Sequence, residues 1–430
     1  MEETILQFGE GNFLRSFVDL FVHQMNEAGL YNGKVIVVQP REKDNVSILN
    51  SQKGKYNLYI RGIENGEPKV YHHHIDSISR GINTYTNFDG YINLAKIPEL
   101  RFIISNTTEA GIEYLDNDRY TDRPPKSFPA KLTTLLHKRY IIGLQGFIIL
   151  PCELTDKNAD LLKEIVLKYA FLWNLEKEFI NWINEENVFC NTLVDRICTG
   201  YPKEEADKLN SELGYEDKLL DTAEIFHMWA IEGNFEEEFP LAKAGVNVIW
   251  TEDITPYKRR KVRILNGLHT SIALGGILFG IDTVGEFMEN VVANEYISAL
   301  LSEILKVEDD VDFGNAVLER FRNPYISHEL KSIALNSVSK FKVRVLPTIF
   351  DFENKCGCSP RALLFSLACL IKYYKEGYGE DNVEVIEFMK NSTLENIVSD
   401  FELSHNYSEI EKYYRVICES GMEAGYRCVI

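Results

Sequence analysis

A lysine, an asparagine and a histidine fall within nine residues in the stretch Lys261-Val262-Arg263-Ile264-Leu265-Asn266-Gly267-Leu268-His269. An amine that can pass a proton, an amide that can donate to a developing oxyanion and an imidazole that can hold a hydroxyl are parts of proton-transfer chemistry at an alcohol or carbonyl. On an α-helix Asn266 lies roughly 140° and His269 roughly 80° round from Lys261, so all three project from one side. Thr255-Pro256 offers an N-cap with proline at the first helical position, and the apolar run Ile272 to Leu278 carries the helix inward. A lysine placed where a helix becomes buried is costly to keep charged, which draws its pKa toward values useful for proton transfer. The same stretch also reads as a solvated basic helix start, Lys258-Arg259-Arg260-Lys261, with an incidental asparagine and histidine. Spacing alone leaves both readings open.

Groups of this kind need a scaffold, and the N-terminal half supplies the pattern of one. Thr4-Ile5-Leu6-Gln7-Phe8 is an apolar run that meets Gly9-Glu10-Gly11-Asn12-Phe13-Leu14-Arg15, and Ser16 to Glu27 carries helical spacing. After Gly33, Lys34 to Gln39 reads as a second buried strand, completing a strand-helix-strand unit. Such a turn presents backbone N–H groups to a pyrophosphate. Leu14 stands where the third glycine of the dinucleotide fingerprint would fall, and Gln39-Pro40-Arg41-Glu42 follows the second strand instead of a single acid. Arg41 there suits a 2′-phosphate and Glu42 a ribose hydroxyl.

Two further strands, Arg101 to Ser105 and Gly146 to Leu150, end in polar residues. The carboxyl ends of parallel strands are where ligands bind, so Asn106, Thr107, Thr108, Glu109 and Glu153 become candidates, with helix capping as the plain alternative. Residues 45 to 75 read as a β-rich insertion, 158 to 187 as helical, 189 to 196 as a polar connector and 203 to 243 as acidic helix or loop, with Val246 to Trp250 a last strand. Beyond Pro256 nearly everything has helical period. The shift near 251 to 256 divides the chain into an α/β domain, 1–253, and a mostly helical one, 254–430.

The net charge is −19 in 430 residues, which argues against a nucleic-acid or anionic-membrane surface. With no charged-then-apolar leader and no run of 18 apolar residues, a soluble cytoplasmic protein is expected, monomeric or a small homo-oligomer. Eight scattered cysteines lack the spacing of a disulfide framework. Neither Cys356-Gly-Cys358 nor His72-His73-His74 has partners at metal-ligand spacing, so no metal is expected.

Gly9-x-Gly11-x-Phe13-x-Arg15, Ser105 to Gly111, Pro151-Cys152-Glu153-Leu154, Val194-Asp195-Arg196, Lys261 with Asn266 and His269, and Arg320 to Tyr325 occur in one order along the chain. Together they resemble the mannitol dehydrogenase family of long-chain polyol dehydrogenases. The resemblance implies an expanded Rossmann-type domain followed by a helical domain, metal-independent chemistry with NAD, and substrate held in the cleft between the domains. It makes Lys261 the general acid and base, gives Asn266 the developing oxyanion and His269 a substrate hydroxyl, brings Gly9, Gly11, Asn12 and Phe13 to the pyrophosphate, and places Asp195 near the nicotinamide. Polyol-acting members carry a second amide donor where this chain has Leu154. Asn158 is one candidate to replace it, and the other possibility is that Asn266 and Lys261 act alone. The departure fits a hexuronate, whose carboxylate calls for a cation; Lys340 is the expected partner, with Arg322 and Arg344 competing. A non-catalytic sugar-acid or nucleotide-binding regulator is the alternative of another class, disfavoured because a binding module does not need a proton-transferring lysine.

Overall fold

The computed structural model describes residues 1–43, 45–107 and 111–430. Thr108 and Glu109, candidates above, lie outside the described residues. The chain divides into two compact units, one of residues 1–61 with 69–254 and the other of 62–68 with 255–430.

The first unit is built on strand β1 (Glu2–Phe8), whose alternate faces are both apolar because helices cover both sides. β1 pairs in parallel with β2 (Gly33–Gln39) on one side and with β6 (Phe102–Ser105) on the other. β5 (Ile78–Asn83) extends the sheet beyond β2, while β7 (Ile148–Pro151) and β8 (Val188–Phe189) extend it beyond β6. The resulting order, β5-β2-β1-β6-β7-β8, reverses direction between β1 and β6. That is the order of a Rossmann sheet, and the reversal is the point at which such sheets open a crevice for ligands.

Two smaller sheets follow, built mainly from residues of this unit. β3 (Tyr56–Glu64) lies between β4 (Glu67–Ile75) and β10 (Asp221–Glu224), and β11 (Met228–Glu232) lies between β9 (Thr192–Asp195) and β12 (Val248–Thr251). Three expectations change here. The insertion from 45 begins with a helix, Val46–Ser51; the connector at 189 to 196 holds the end of β8 and all of β9; and the acidic stretch 203 to 243 contributes β10 and β11. Each of these strands has only two to five residues, too short for a period of two to stand out.

The second unit is helical. Its central helix, Gly267–Leu278, is buried through its first ten residues. It can be enclosed so completely because its small residues admit close neighbours: a Cβ at Gly276 would lie 2.5 Å from Leu330 Cδ1 and 3.0 Å from Phe287 Cδ2. The helix Arg361–Lys375 packs along it, and Val291–Glu308 crosses both. Among the described residues no helix is long and apolar enough to cross a membrane, and no group of three or more His, Cys, Asp or Glu is placed to hold a metal.

Candidate active site

In the first unit the carboxyl ends of β1 and β6 meet. Gly9 adopts φ +123°, and a Cβ there would sit 2.6 Å from the Asn106 carbonyl oxygen, so only glycine lets the two loops approach this closely. Gly11 caps a short helix, Asn12–Arg15, without a side-chain hydrogen bond, and nothing lies within 4 Å of the place a Cβ would take. Gly11 and Asn12 are exposed. An uncapped run of N–H groups facing open space at the sheet reversal fits a dinucleotide pyrophosphate. The Phe13 ring instead stacks on Phe17, centroids 4.9 Å apart, so Phe13 offers its backbone to that position and its side chain to the core.

Residues from elsewhere in the unit hold this turn. Gln7 Nε2 donates to the Gly9 carbonyl at 3.1 Å and to Asp19 at 3.3 Å. Buried Arg196 donates to the carbonyls of Ser16 (2.8 Å) and Glu224 (2.9 Å), which gives the motif Val194-Asp195-Arg196 a structural task at the kink after the first helix. Asp195 itself is buried at the end of β9, opposite Met228. Arg41 leaves β2 and donates to the Thr107 carbonyl at 3.0 Å, joining the loops over the sheet reversal.

Glu153 and Asn158, expected as substrate contacts, are joints of the scaffold in this structure. The buried Glu153 carboxylate accepts from Ser105 Oγ, Thr107 N and Thr107 Oγ1 at 2.9–3.0 Å, and burial raises its pKa against those bonds. The Asn158 side chain is 0% exposed; its Nδ2 donates to the carbonyls of Pro151, Glu153 and Thr192, and its Oδ1 accepts from Ala159 N and Thr192 N. Its donors are spent on backbone, so it is no replacement for an amide at Leu154, which is 64% exposed. Asn106 Nδ2 likewise donates to the Cys152 carbonyl at 2.9 Å.

Asp19 carries a testable consequence of this packing. Burial pushes its carboxyl up to about 7, opposed by the Gln7 hydrogen bond and by Arg15. Because the folded state holds this proton more tightly than the unfolded chain, the contribution of Asp19 to stability is greatest below about pH 4, falls as pH rises to 7, and is flat beyond. Asp19→Asn keeps an acceptor for Gln7 and removes the buried charge. It should raise the melting temperature at pH 8 by about 2–5 °C and change it little at pH 4.5; an equal shift at both values would show that burial of this charge carries no cost.

In the second unit, Thr255–Lys261 is α-helical, the chain then widens into a π-helical turn over Val262–Asn266, and the α-helix resumes at Gly267. This departs from the continuous α-helix expected from the spacing. A π-turn advances roughly 80° per residue, which brings Asn266 to roughly 40° from Lys261 and His269 to roughly −20°. The spread of the three side chains contracts from roughly 140° to roughly 60°. The opposite faces of this stretch are anchored by ion pairs: Arg259 to Glu308 at 2.9 Å, Arg260 to Asp310 at 2.6 Å and Arg263 to Asp351 at 3.1 Å. The basic run is therefore bound to acids of neighbouring segments and is not simply a solvated face.

Lys261 and Asn266 are half-buried, and the Asn266 amide makes no side-chain hydrogen bond among the described residues. His269 is 8% exposed, stacked on Phe321 at 4.2 Å and edge-on to His328 at 4.8 Å. Burial, then His328, Arg320 and Arg344, hold its pKa well below the usual histidine range, so the ring is neutral. Its Nε2 is buried with no hydrogen-bond partner among the described residues. A neutral imidazole with an unmet ring nitrogen, one helical turn from an unengaged amide, is arranged to receive a polar ligand.

Arg320 and His328 were not among the expected site residues, which placed Arg322 there instead. The helix Val311–Phe321 buries Phe313, Val317, Arg320 and Phe321, so Arg320 is in phase with the apolar stripe and Arg322 is out of it. Arg322 is exposed, 3.5 Å from Asn294 Oδ1, on the wall of an open cavity of about 480 Å³ whose lining includes Glu286 and Glu289 but not Lys261, Asn266 or His269. Lys340 donates to the Ile333 carbonyl at 2.9 Å.

Comparison with known proteins matches residues 3–243 to the mannitol dehydrogenase Rossmann domain and residues 253–409 to the mannitol dehydrogenase C-terminal domain. The chain belongs to the mannitol dehydrogenase family. It is thus an oxidoreductase acting on CH–OH groups. Relatives include the altronate oxidoreductases of Bacillus subtilis (strain 168), 44% identical over 90% of this chain and 83% of that protein, and of Yersinia pestis, 44% identical over 87% and 80%. The family fold recurs in solved structures. D-sorbitol dehydrogenase in substrate-free form superposes with a TM-score of 0.87 at 21% identity, covering 99% of this chain and 95% of that one. Pseudomonas fluorescens mannitol 2-dehydrogenase, in a ternary complex with NAD and D-mannitol, gives 0.72 at 23% identity, covering 100% and 94%.

Proposed function

We propose that this member of the mannitol dehydrogenase family reduces D-tagaturonate to D-altronate, reversibly, with NADH, in the breakdown of hexuronates such as galacturonate. The observation that carries the reading is the stripe of Lys261, Asn266 and His269 aligned by the π-turn; similarity to altronate oxidoreductases supports the substrate.

NAD is the cofactor, and the glycine turn at Gly9 to Phe13 is the place whose shape suits its pyrophosphate. Bound there as NADH it supplies the hydride that reduces the ketone carbon. Lys261, as the ammonium, gives its proton to the oxygen on which negative charge develops and recovers it from solvent between turnovers; in the oxidative direction the free amine takes the alcohol proton. Asn266 donates a hydrogen bond to the same oxygen, an interaction that strengthens as the carbonyl becomes an alkoxide. Neutral His269 offers Nε2 to a substrate hydroxyl, fixing the carbonyl against Lys261. With Leu154 unable to donate and Asn158 committed to backbone, Asn266 carries the amide contribution alone.

The deciding experiment follows NADH consumption with tagaturonate, fructuronate and fructose in parallel. Tagaturonate should give the highest kcat/KM by at least ~10-fold. A preference for fructuronate or fructose would replace this reading by the sibling activity, and binding without turnover of any of the three would favour a regulator.

A further inference from the structure

A hexuronate brings one group that the proton-transfer stripe does not address, its carboxylate. Four of the arginines around that stripe fall into two sets. Arg259, Arg260 and Arg263 each meet an acid within about 3 Å. Arg344, at the end of the helix Ser337–Arg344, does not: it is half-buried, and its one hydrogen bond among the described residues runs from Nη1 to Thr270 Oγ1 at 3.4 Å. A guanidinium withdrawn from water without a counter-charge is costly to maintain in a chain whose net charge is −19 and which has acids to spare.

The surroundings of Arg344 place it against the start of the helix Gly267–Leu278. Thr270, its partner, follows His269 directly and donates through Oγ1 to the Asn266 carbonyl at 2.8 Å. The Arg344 carbonyl lies 3.4 Å from where a Cβ of Gly267 would stand, so the two backbones abut at the first turn of that helix. The charge of Arg344 also reaches His269, where it helps to keep the ring neutral. The competing cations are engaged elsewhere: Lys340 holds the Ile333 carbonyl and has Asp381 in its neighbourhood, while Arg322 lines the cavity that contains Glu286 and Glu289.

We propose that Arg344 is the specificity-determining residue that receives the substrate carboxylate, taking it in a bidentate pair. This rests on the reading of the substrate as a hexuronate. The spacing suits it: Thr270 is four residues beyond Asn266, about 6 Å along the helix axis, and the four carbon–carbon bonds separating the ketone carbon of tagaturonate from its carboxylate carbon span a similar length. A planar guanidinium matches carboxylate geometry at two points, where a lysine offers one. The same residue works against neutral ketoses, which would cover the guanidinium and leave its charge unmet.

The test compares wild type, Arg344→Met and Arg344→Lys at saturating NADH, with tagaturonate and with fructose, after thermal melting has confirmed the fold of each variant. Arg344→Met should raise KM for tagaturonate by about 30-fold or more, leave kcat within about 3-fold and leave KM for fructose unchanged or lower; Arg344→Lys should recover part of the loss. Competitive inhibition by altronate against that by mannitol gives the same comparison if fructose turns over too slowly, and only altronate should weaken. Equal losses on charged and neutral ligands, or none on either, would overturn the assignment while leaving the hexuronate reading intact. A wild-type enzyme that prefers fructose to tagaturonate would instead remove the hexuronate reading, and the role of Arg344 with it.

Discussion

Replacing Lys261 by alanine is expected to lower turnover by at least ~100-fold while leaving NADH binding nearly unchanged. Reduction of a ketone by hydride creates an alkoxide, and without a positioned acid the charge must be quenched by water. Asn266 would still donate to that oxygen, which sets a floor above the uncatalysed rate; removal of one such donor in other enzymes costs about 10²–10³. The segment itself should survive the substitution. Arg259, Arg260 and Arg263 tie its other faces to Glu308, Asp310 and Asp351, so the π-turn keeps its supports when the lysine side chain is removed. Stopped-flow measurement of NADH oxidation separates the chemical step from cofactor binding, and added small primary amines should restore part of the rate. Near-wild-type turnover in Lys261→Ala would remove the lysine from the reaction and return this stretch to a basic helix start.

Much of the frame was legible because it is written in long apolar runs. Ile5 to Phe8, Val35 to Gln39 and Phe102 to Ser105 are buried on both faces, and each stands in the central sheet. The helical second unit shows in the same way, through periods sustained over many residues. Length alone did not hide the short strands β8 to β11, since β6 and β7 have four residues each; polar residues interrupt or flank β8 to β11, and pairing partners distant in sequence decide them.

The site divides along similar lines. Lys261, Asn266 and His269 could be singled out by residue type, but the π-turn that aligns them could not, since one widened turn leaves no mark on a spacing of five and three. Glu153 looked like a ligand because it stands just past a strand end, where both ligands and structural joints occur, and Asn158 because the resemblance left an amide donor to be replaced at Leu154. Only the bond partners distinguish the two: a carboxylate accepting from Ser105 and Thr107, and an amide with its donors on backbone carbonyls, are satisfied within the fold. Arg320 was legible in principle, being in phase with Phe313, Val317 and Phe321, whereas Arg344 emerges only from packing between helices distant in sequence.

The glycine turn gives the second large effect, and its two glycines should fail differently. In Gly9→Ala the new methyl would meet the Asn106 carbonyl at 2.6 Å on a backbone at φ +123°, a region that side chains rarely enter. Neither side can give way easily. The Asn106 N–H is bonded to the Phe8 carbonyl at 3.0 Å, its side chain holds the Cys152 carbonyl at 2.9 Å, and the Gly9 carbonyl is held by Gln7. Strain and displacement of this kind cost about 2–4 kcal/mol, so the variant should melt several degrees lower and bind NADH at least ~100-fold more weakly. Gly11→Ala meets no atom within 4 Å, and its φ of −74° suits any residue, so stability should stay within about 0.5 kcal/mol of wild type. Its methyl nevertheless occupies the open space before the first N–H groups of the helix, where a pyrophosphate would approach, and NADH affinity should fall by about 10-fold. Fluorescence titration of NADH against both variants, alongside thermal melts, tests the pair. A Gly11→Ala enzyme that binds NADH as tightly as wild type would move the cofactor away from this turn, and a Gly9→Ala enzyme of normal stability would show that the approach of the β1 and β6 loops does not require glycine.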